Sequence, residues 1–328
     1  MACMTPETVR NFLSLVKVGD LVAADPKPLI DADSDATLEN VLELLTQNNI
    51  LSVPIYEKTP QGKKKYVGII SSFDIMTYVA FATYFKDQEL SLEEQDFSAI
   101  RFNDLKASAL LGATSRESED LWYCTESTDL FTVLEYFHKG VHRCLVESEE
   151  GEGDKCYLLT QSDVIRFLSK NESKLGEVVH KRVEELNLVN PLGGGKGVAS
   201  LPSYATALEG FRVMKMHEVQ ALPVVEAEKD NSIITTLSTS DLKGIHNDSL
   251  KNVLLPVLDY LKGREKDGKL VHPLTCHSRD NLAEIMLKML SARRHKHQVW
   301  VVNSAMVPIG VISMTDIIRS TYTFCLGL

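Results

Sequence analysis

The stretch PIGVISMTDIIRS, residues 308–320, runs an apolar strand into a hydroxyl, two further residues, an aspartate and an apolar helical start. Ser313-x-x-Asp316 has the spacing of a capping box, in which the hydroxyl accepts from a first-turn N–H and the acid favours the positive helix end. A strand-to-helix junction is also a place where backbone donors meet a ligand, and a carboxylate accepts from vicinal ribose hydroxyls. One junction can serve both purposes, so the question turns on its copies.

There are three more: VGIISSFDIMTYV (67–79), CYLLTQSDVIRFL (156–168) and SIITTLSTSDLKGI (232–245). Their hydroxyls are Ser71, Thr160 and Ser238, and their acids Asp74, Asp163 and Asp241. Upstream, the i, i+3, i+4, i+7 spacing of one helix face recurs as Leu38-Val41-Leu42-Leu45, Leu130-Val133-Leu134-Phe137 and Leu282-Ile285-Met286-Met289, with a weaker Leu208-Phe211-Met214. The leading leucine precedes the acid by 33 to 36 residues in all four. Between helix and motif lies a second apolar strand, beginning at Ser52, Cys144, Ala221 and Val299. Each unit therefore reads β-α-β-β-α, with Asp35, Ser127, Ser203 and Ser278 as expected helix caps.

The expected organisation is an N-terminal helix (1–19), repeats at 20–85, 121–172, 198–248 and 270–328, and connectors at 86–120, 173–197 and 249–269. The first connector contains the helical stretch NDLKASALLG; KLGEVVHKRVEELNLV and SLKNVLLPVLDYLKG take its place after repeats two and three. A unit of this size has a marginal core alone. Repeats one and two, and three and four, are expected to pair face to face across a boundary at NPLGGGKG (190–197). That stretch lacks the hydroxyl of a phosphate loop, since Val198 follows Gly197, and reads as a linker.

Bulk properties narrow the function. A formal charge of −10 over 328 residues argues against broad binding to nucleic acid or anionic membrane, though Arg293, Arg294, His295, Lys296 and His297 form a local basic cluster. Six cysteines without a C-x-x-C pair write neither a zinc knuckle nor a disulfide framework, and most read as small apolar strand residues. His295-x-His297 lacks a placed third metal ligand, so no metal is expected. No nucleophile–base–orienter set stands out. Val9, Phe12, Leu13 and Val16 give the N-terminal helix a packing face. No stretch reaches membrane-spanning length, and a cytoplasmic location, with the nucleus also open, is expected.

The four units, ending in GIISSFDI, YLLTQSDV, TTLSTSDL and GVISMTDI, resemble CBS repeats. Four in tandem resemble the gamma regulatory subunit of AMP-activated or SNF1-type kinases, in the plant gamma-like branch, over about residues 20 to 328. The resemblance implies an α+β fold, with four CBS repeats paired into two modules forming a pseudo-symmetric disc. It also implies a non-catalytic protein, binding AMP, ADP or ATP as regulatory ligand without a cofactor, with kinase catalytic (alpha) and beta subunits as partners. Disc dimerisation stays open. By the same resemblance the motif residues Ser71, Asp74, Thr160, Asp163, Ser238, Asp241, Ser313 and Asp316 hold ribose, and basic residues opening the second strand hold phosphate. Aligning those strands on Pro54 and Pro223 sets Leu51-Ser52, His142-Arg143, Gln220-Ala221 and His297-Gln298 in register, making His142, Arg143 and His297 the phosphate candidates.

Departures from the family pattern are specific. Gln298 stands where arginine is typical, Leu51 where a phosphate-binding arginine is expected, and Ser162 replaces a lysine, whereas Asp163 is present where the animal subunit has lost its acid. Hydrogen bonds to charged groups are worth about 1.5–3 kcal/mol each, so two missing arginines leave open an interaction scaffold that binds no nucleotide.

Overall fold

A computed structural model of the chain describes residues 4–24, 27–81, 102–112, 120–148, 156–186, 198–292 and 297–328. The linker 190–197, most of the connector 86–120 and the cluster Arg293–Lys296 lie outside the described residues.

Four three-stranded sheets are built to one plan: β1 (Ala32–Asp33), β2 (Ser52–Lys58) and β3 (Lys64–Ser71); β4 (Tyr123–Thr125), β5 (Arg143–Glu147) and β6 (Cys156–Thr160); β7 (Leu201–Pro202), β8 (Ala221–Val225) and β9 (Ile233–Ser238); β10 (Thr275–Cys276), β11 (Gln298–Val302) and β12 (Pro308–Ser313). In each, the first strand runs parallel to the second, which requires a crossover, and the second pairs antiparallel with the third as a hairpin. The crossovers are the helices Leu38–Gln47, Leu130–Phe137, Ala207–Met216 and Leu282–Ser291. Their periodic faces are buried as the spacing predicts, with Leu38, Val41, Leu130, Val133, Leu208, Phe211, Leu282 and Ile285 all at 0% exposure.

The caps sit two or three residues later than expected. Thr37, Asp129, Thr206 and Asn281 cap the crossover helices, not Asp35, Ser127, Ser203 and Ser278. A backbone turn intervenes between first strand and helix: Ala36 N–H donates to Asp33 O, Thr128 to Thr125, Ala205 to Pro202 and Asp280 to His277. Another departure concerns repeat three. Repeats one, two and four close with helices Ser72–Phe81, Gln161–Lys170 and Met314–Cys325, whereas repeat three closes with a single 3-10 turn, Thr239–Leu242. Gly244, at φ +69, turns the chain away, and its N–H donates to Thr46 Oγ1 of repeat one at 2.9 Å.

NDLKASALLG forms one 3-10 turn, Ala107–Leu110, because its backbone is engaged by a neighbour rather than by itself. Ala107 N–H donates to Ala36 O, while Leu38 N–H donates to Leu105 O. This docking recurs. Residues 16–19, ahead of repeat one, dock on the helix start of repeat two through Val18 N–H to Thr128 O and Leu130 N–H to Val16 O. Val183 N–H donates to Asp280 O of repeat four, and Val257 N–H to Ala205 O of repeat three. The segment leading each repeat thus lies on its partner, reciprocally within one–two and three–four.

Those pairs also touch through their sheets, by Tyr123 Oη to Tyr66 O (3.4 Å) and by Trp300 Nε1 to Thr236 Oγ1 (2.9 Å). The apolar cores run the other way, which the expected pairing did not foresee. The larger two contain Leu38, Met76, Phe211 and Leu222, from repeats one and three, and Leu134, Ile165, Met286 and Ile317, from two and four, with Val9 and Leu13 of the helix Pro6–Leu15; a smaller cluster of Ala221, Ile233, Trp300 and Val302 joins three and four as expected. Sheet contacts and helix contacts alternate round the four repeats and close them into a disc. Of the described cysteines, Cys124, Cys144 and Cys276 are buried strand residues, Cys156 is a half-buried one and Cys325 is buried at the end of a helix; all are reduced, and burial pushes the Cys276 and Cys325 thiols up to about 12.

Candidate functional site

The four junctions share one backbone register. Ser52, Arg143, Ala221 and Gln298 lie directly across from Ser71, Thr160, Ser238 and Ser313. The first residue of each closing segment donates to the carbonyl just ahead of the second strand: Ser72 to Leu51, Gln161 to His142, Thr239 to Gln220 and Met314 to His297. The sequence alignment of these positions is therefore the structural one.

At each junction one carboxylate oxygen is committed to the cap. Asp74 Oδ2 accepts from Ser71 N (2.7 Å) and Oγ (2.6 Å); Asp163 Oδ2 from Thr160 N (3.0 Å) and Oγ1 (2.6 Å); Asp316 Oδ2 from Ser313 N (2.8 Å) and Oγ (2.6 Å); Asp241 Oδ2 from Ser238 N (2.8 Å). The copies then diverge. Asp74 and Asp241 are wholly buried, whereas Asp163 and Asp316 keep 20% and 24% of their side chains exposed. In those two the second oxygen, Oδ1, meets cations: Arg166 at 3.0 Å and Lys27 at 3.3 Å on Asp163, Arg319 at 3.3 Å on Asp316.

Asp163 and Asp316 open onto a cavity of about 820 Å³ lined by all four repeats. Of the sequence-predicted residues, Thr160, Asp163, Ser313, Asp316, His142, Arg143 and His297 line it; Ser71, Asp74, Ser238 and Asp241 do not. The closing helices of repeats two and four meet beside it, with Gln161 Nε2 donating to Thr315 Oγ1 (3.0 Å) and Thr315 Oγ1 to Gln161 Oε1 (3.3 Å). Arg319 also reaches across to His138 O of repeat two at 3.2 Å.

Arg166, Arg319 and Lys27 escaped sequence reasoning. A signal for the arginines was present: Asp163-Val-Ile-Arg166 and Asp316-Ile-Ile-Arg319 share a D-h-h-R step, where repeats one and three read DIMT and DLKG. Lys27, remote in sequence, had none.

Among the described residues the lining carries five cations (Lys27, Arg143, Arg166, Lys243, Arg319) and three carboxylates (Asp163, Glu218, Asp316), besides His142 and His297. A positive surplus inside a chain of formal charge −10 favours an anion with hydroxyl donors for the two Oδ1 atoms. Among the described residues no group of three His, Cys, Asp or Glu could hold a metal ion, and no helix is long and apolar enough to cross a membrane.

Comparison with known proteins places this geometry. The CBS domain family matches residues 18–81 and 268–322. The chain is 25% identical to the SNF1-related protein kinase regulatory subunit gamma-like PV42b of Arabidopsis thaliana, covering 92% of this chain and 93% of that one. It is 19% identical to the 5'-AMP-activated protein kinase subunit gamma of Saccharomyces cerevisiae, over 95% and 92%. In fold it matches the crystal structure of protein MJ1225 of Methanocaldococcus jannaschii, proposed as an archaeal homologue of g-AMPK, with a TM-score of 0.67, 19% identity and coverage of 93% and 99%. The first and fourth of the four repeats match the CBS domain family, and along nearly its whole length the chain resembles the gamma regulatory subunits of AMP-activated and SNF1-related protein kinases.

Proposed function

We propose that the chain is a non-catalytic regulatory subunit of a SNF1-type kinase that takes adenine nucleotide in its central cavity. The observation that carries the reading is the convergence there of two outward-facing aspartate–arginine pairs with His142, Arg143 and His297. With Oδ2 held by the cap, Oδ1 of Asp163 or Asp316 accepts from ribose hydroxyls, displacing or sharing its arginine, and Arg143 with the histidines meets the phosphates. Ser71, Asp74, Ser238 and Asp241 become structural caps. Likeness in sequence to regulatory gamma-type subunits along nearly the whole chain supports the kinase partnership.

Regulation follows from position. A ligand beside the Gln161–Thr315 contact touches the meeting of repeats two and four, and biases a bound kinase to the extent that it prefers one packing over another. Titration calorimetry of the purified chain with AMP, ADP and ATP tests the sensor. Saturable heat, weakened about tenfold by Asp316→Asn, is expected; silence at millimolar nucleotide overturns it. Copurification of kinase catalytic and beta subunits from native extract tests the partnership. The second reading, a scaffold that binds no nucleotide, draws on Gln298 and Leu51 in the lining and on the cations already seated on Asp163.

A further inference from the structure

Two thiols meet in the core of repeat two. Cys124 of β4 and Cys144 of β5 hold their Sγ atoms 3.5 Å apart, with Cys144 wholly buried and Cys124 at 7% exposure. Strand register identifies the same two positions in the other repeats as Ala32 and Val53, Leu201 and Leu222, and Cys276 and Val299. Each of those pairs places at least one hydrocarbon side chain in the core. Packing at this place asks for apolar volume rather than for two sulfurs, so burial alone does not account for repeat two.

The two thiols are unequal. The Cys144 S–H donates to Cys124 Sγ and holds the Cys124 thiol below its ordinary value, while the same hydrogen bond and burial push the Cys144 thiol up. Thiolate character and the remaining exposure thus fall on one cysteine with a second thiol beside it, the arrangement of an oxidisable cysteine and its resolving partner. The pair is diagonal, since Cys124 is level with Val146, two positions past Cys144 on the same face of β5. A disulfide needs its sulfurs about 2 Å apart, so closing one here shifts β5 against β4. Next to Cys144 on that strand is Arg143, which lines the cavity and lies across from Thr160, the hydroxyl residue that bonds Asp163.

We infer that Cys124 and Cys144 form a thiol switch, in which hydrogen peroxide oxidises them to a disulfide that displaces β5 and with it the Arg143 side of the cavity. The Cys124 thiolate attacks one peroxide oxygen; an S–O bond forms, the O–O bond breaks and hydroxide leaves. The Cys144 sulfur then attacks the sulfenic sulfur; the S–S bond forms, the S–O bond breaks and the oxygen leaves as water with the Cys144 proton. The two thiols give up two electrons and the peroxide takes them. A small thiol reductant reverses the reaction, as suits a disulfide closed against the resting register. The switch does not depend on which ligand the cavity holds.

The test is treatment of the folded full-length chain with hydrogen peroxide, alkylation of the remaining thiols in urea, and peptide mapping without reductant. A Cys124–Cys144 crosslink is expected, lost on adding dithiothreitol and formed while Cys276 is still recovered as the alkylated thiol. Cys144→Val, which copies the Cys276 and Val299 pair of repeat four, is expected to stop at a Cys124 sulfenic acid that dimedone traps. Should that variant fail to fold, the wild-type map decides the pairing by itself. Amide hydrogen exchange along Arg143–Glu147 is expected to quicken severalfold in the oxidised protein and to return on reduction. If both thiols of the folded chain stay open to alkylation after peroxide, or Cys124 pairs with a different cysteine, the switch is wrong. A Cys124–Cys144 disulfide that leaves exchange along β5 unchanged overturns its link to the cavity.

Discussion

Asp74 and Asp163 occupy the same place in the same motif, and their surroundings give them different work. Both present Oδ2 to the hydroxyl and N–H that open the helix, but Asp74 is sealed inside the repeat one and three core while Asp163 looks into a cavity lined with cations. Removing Asp74 leaves the buried Ser71 N–H and Oγ–H without their acceptor. Asp74→Ala is therefore expected to lower stability by about 1–3 kcal/mol, read from urea unfolding, while the heats of nucleotide binding stay as in wild type. Lost binding without lost stability would return Asp74 to the site. The hydroxyl–acid motif and the paired basic positions were legible in the sequence because they are local and repeat. Which acids face outward was not, since that depends on what packs over them.

At the scale of the element, repeat three shows how one residue ends a helix. DLKGI carries the apolar start of a closing helix, yet Gly244 takes a left-handed conformation after a single 3-10 turn and hands its N–H to Thr46 Oγ1. Neighbouring Lys243 Nζ donates to Asn49 Oδ1 of repeat one (3.0 Å), so the truncated segment serves as a tie between repeats. Alanine at this position meets no close atom (the nearest to its Cβ lies at 3.6 Å), which leaves backbone strain as its cost. Gly244→Ala is expected to destabilise by about 1–2 kcal/mol, measured as a lower urea midpoint at unchanged slope. The displaced caps have a similar origin: Thr37, Asp129, Thr206 and Asn281 follow a tight turn that the polar residues before them form, and polarity alone does not say which of several candidates holds the cap.

The whole molecule is held by two kinds of contact that run crosswise. Exchanged leading segments and facing sheets join one to two and three to four, while the apolar helix faces join one to three and two to four. No repeat, and no half cut at residues 190–197, contains its own complete core. A specific protease site placed in 190–197 and cleaved after folding is expected to leave two fragments that coelute on size exclusion. Residues 1–189 expressed alone expose the faces of Ser72–Phe81 and Leu130–Phe137 that pack on repeats three and four, and are expected to aggregate. Separation of the cleaved halves into two stable monomers would show that the helix interfaces contribute little.

The sequence by itself determined the four repeats of strand, helix and hairpin, their buried faces and the register of their junctions. Each of these follows from local spacing, and local spacing is what a repeat makes visible. The tertiary structure alone decided the crosswise cores, the burial of Asp74 and Asp241, and the approach of Lys27 to Asp163 across 136 residues of chain. Those depend on which surfaces exclude water from one another when the ring closes, and no period in the sequence encodes that choice.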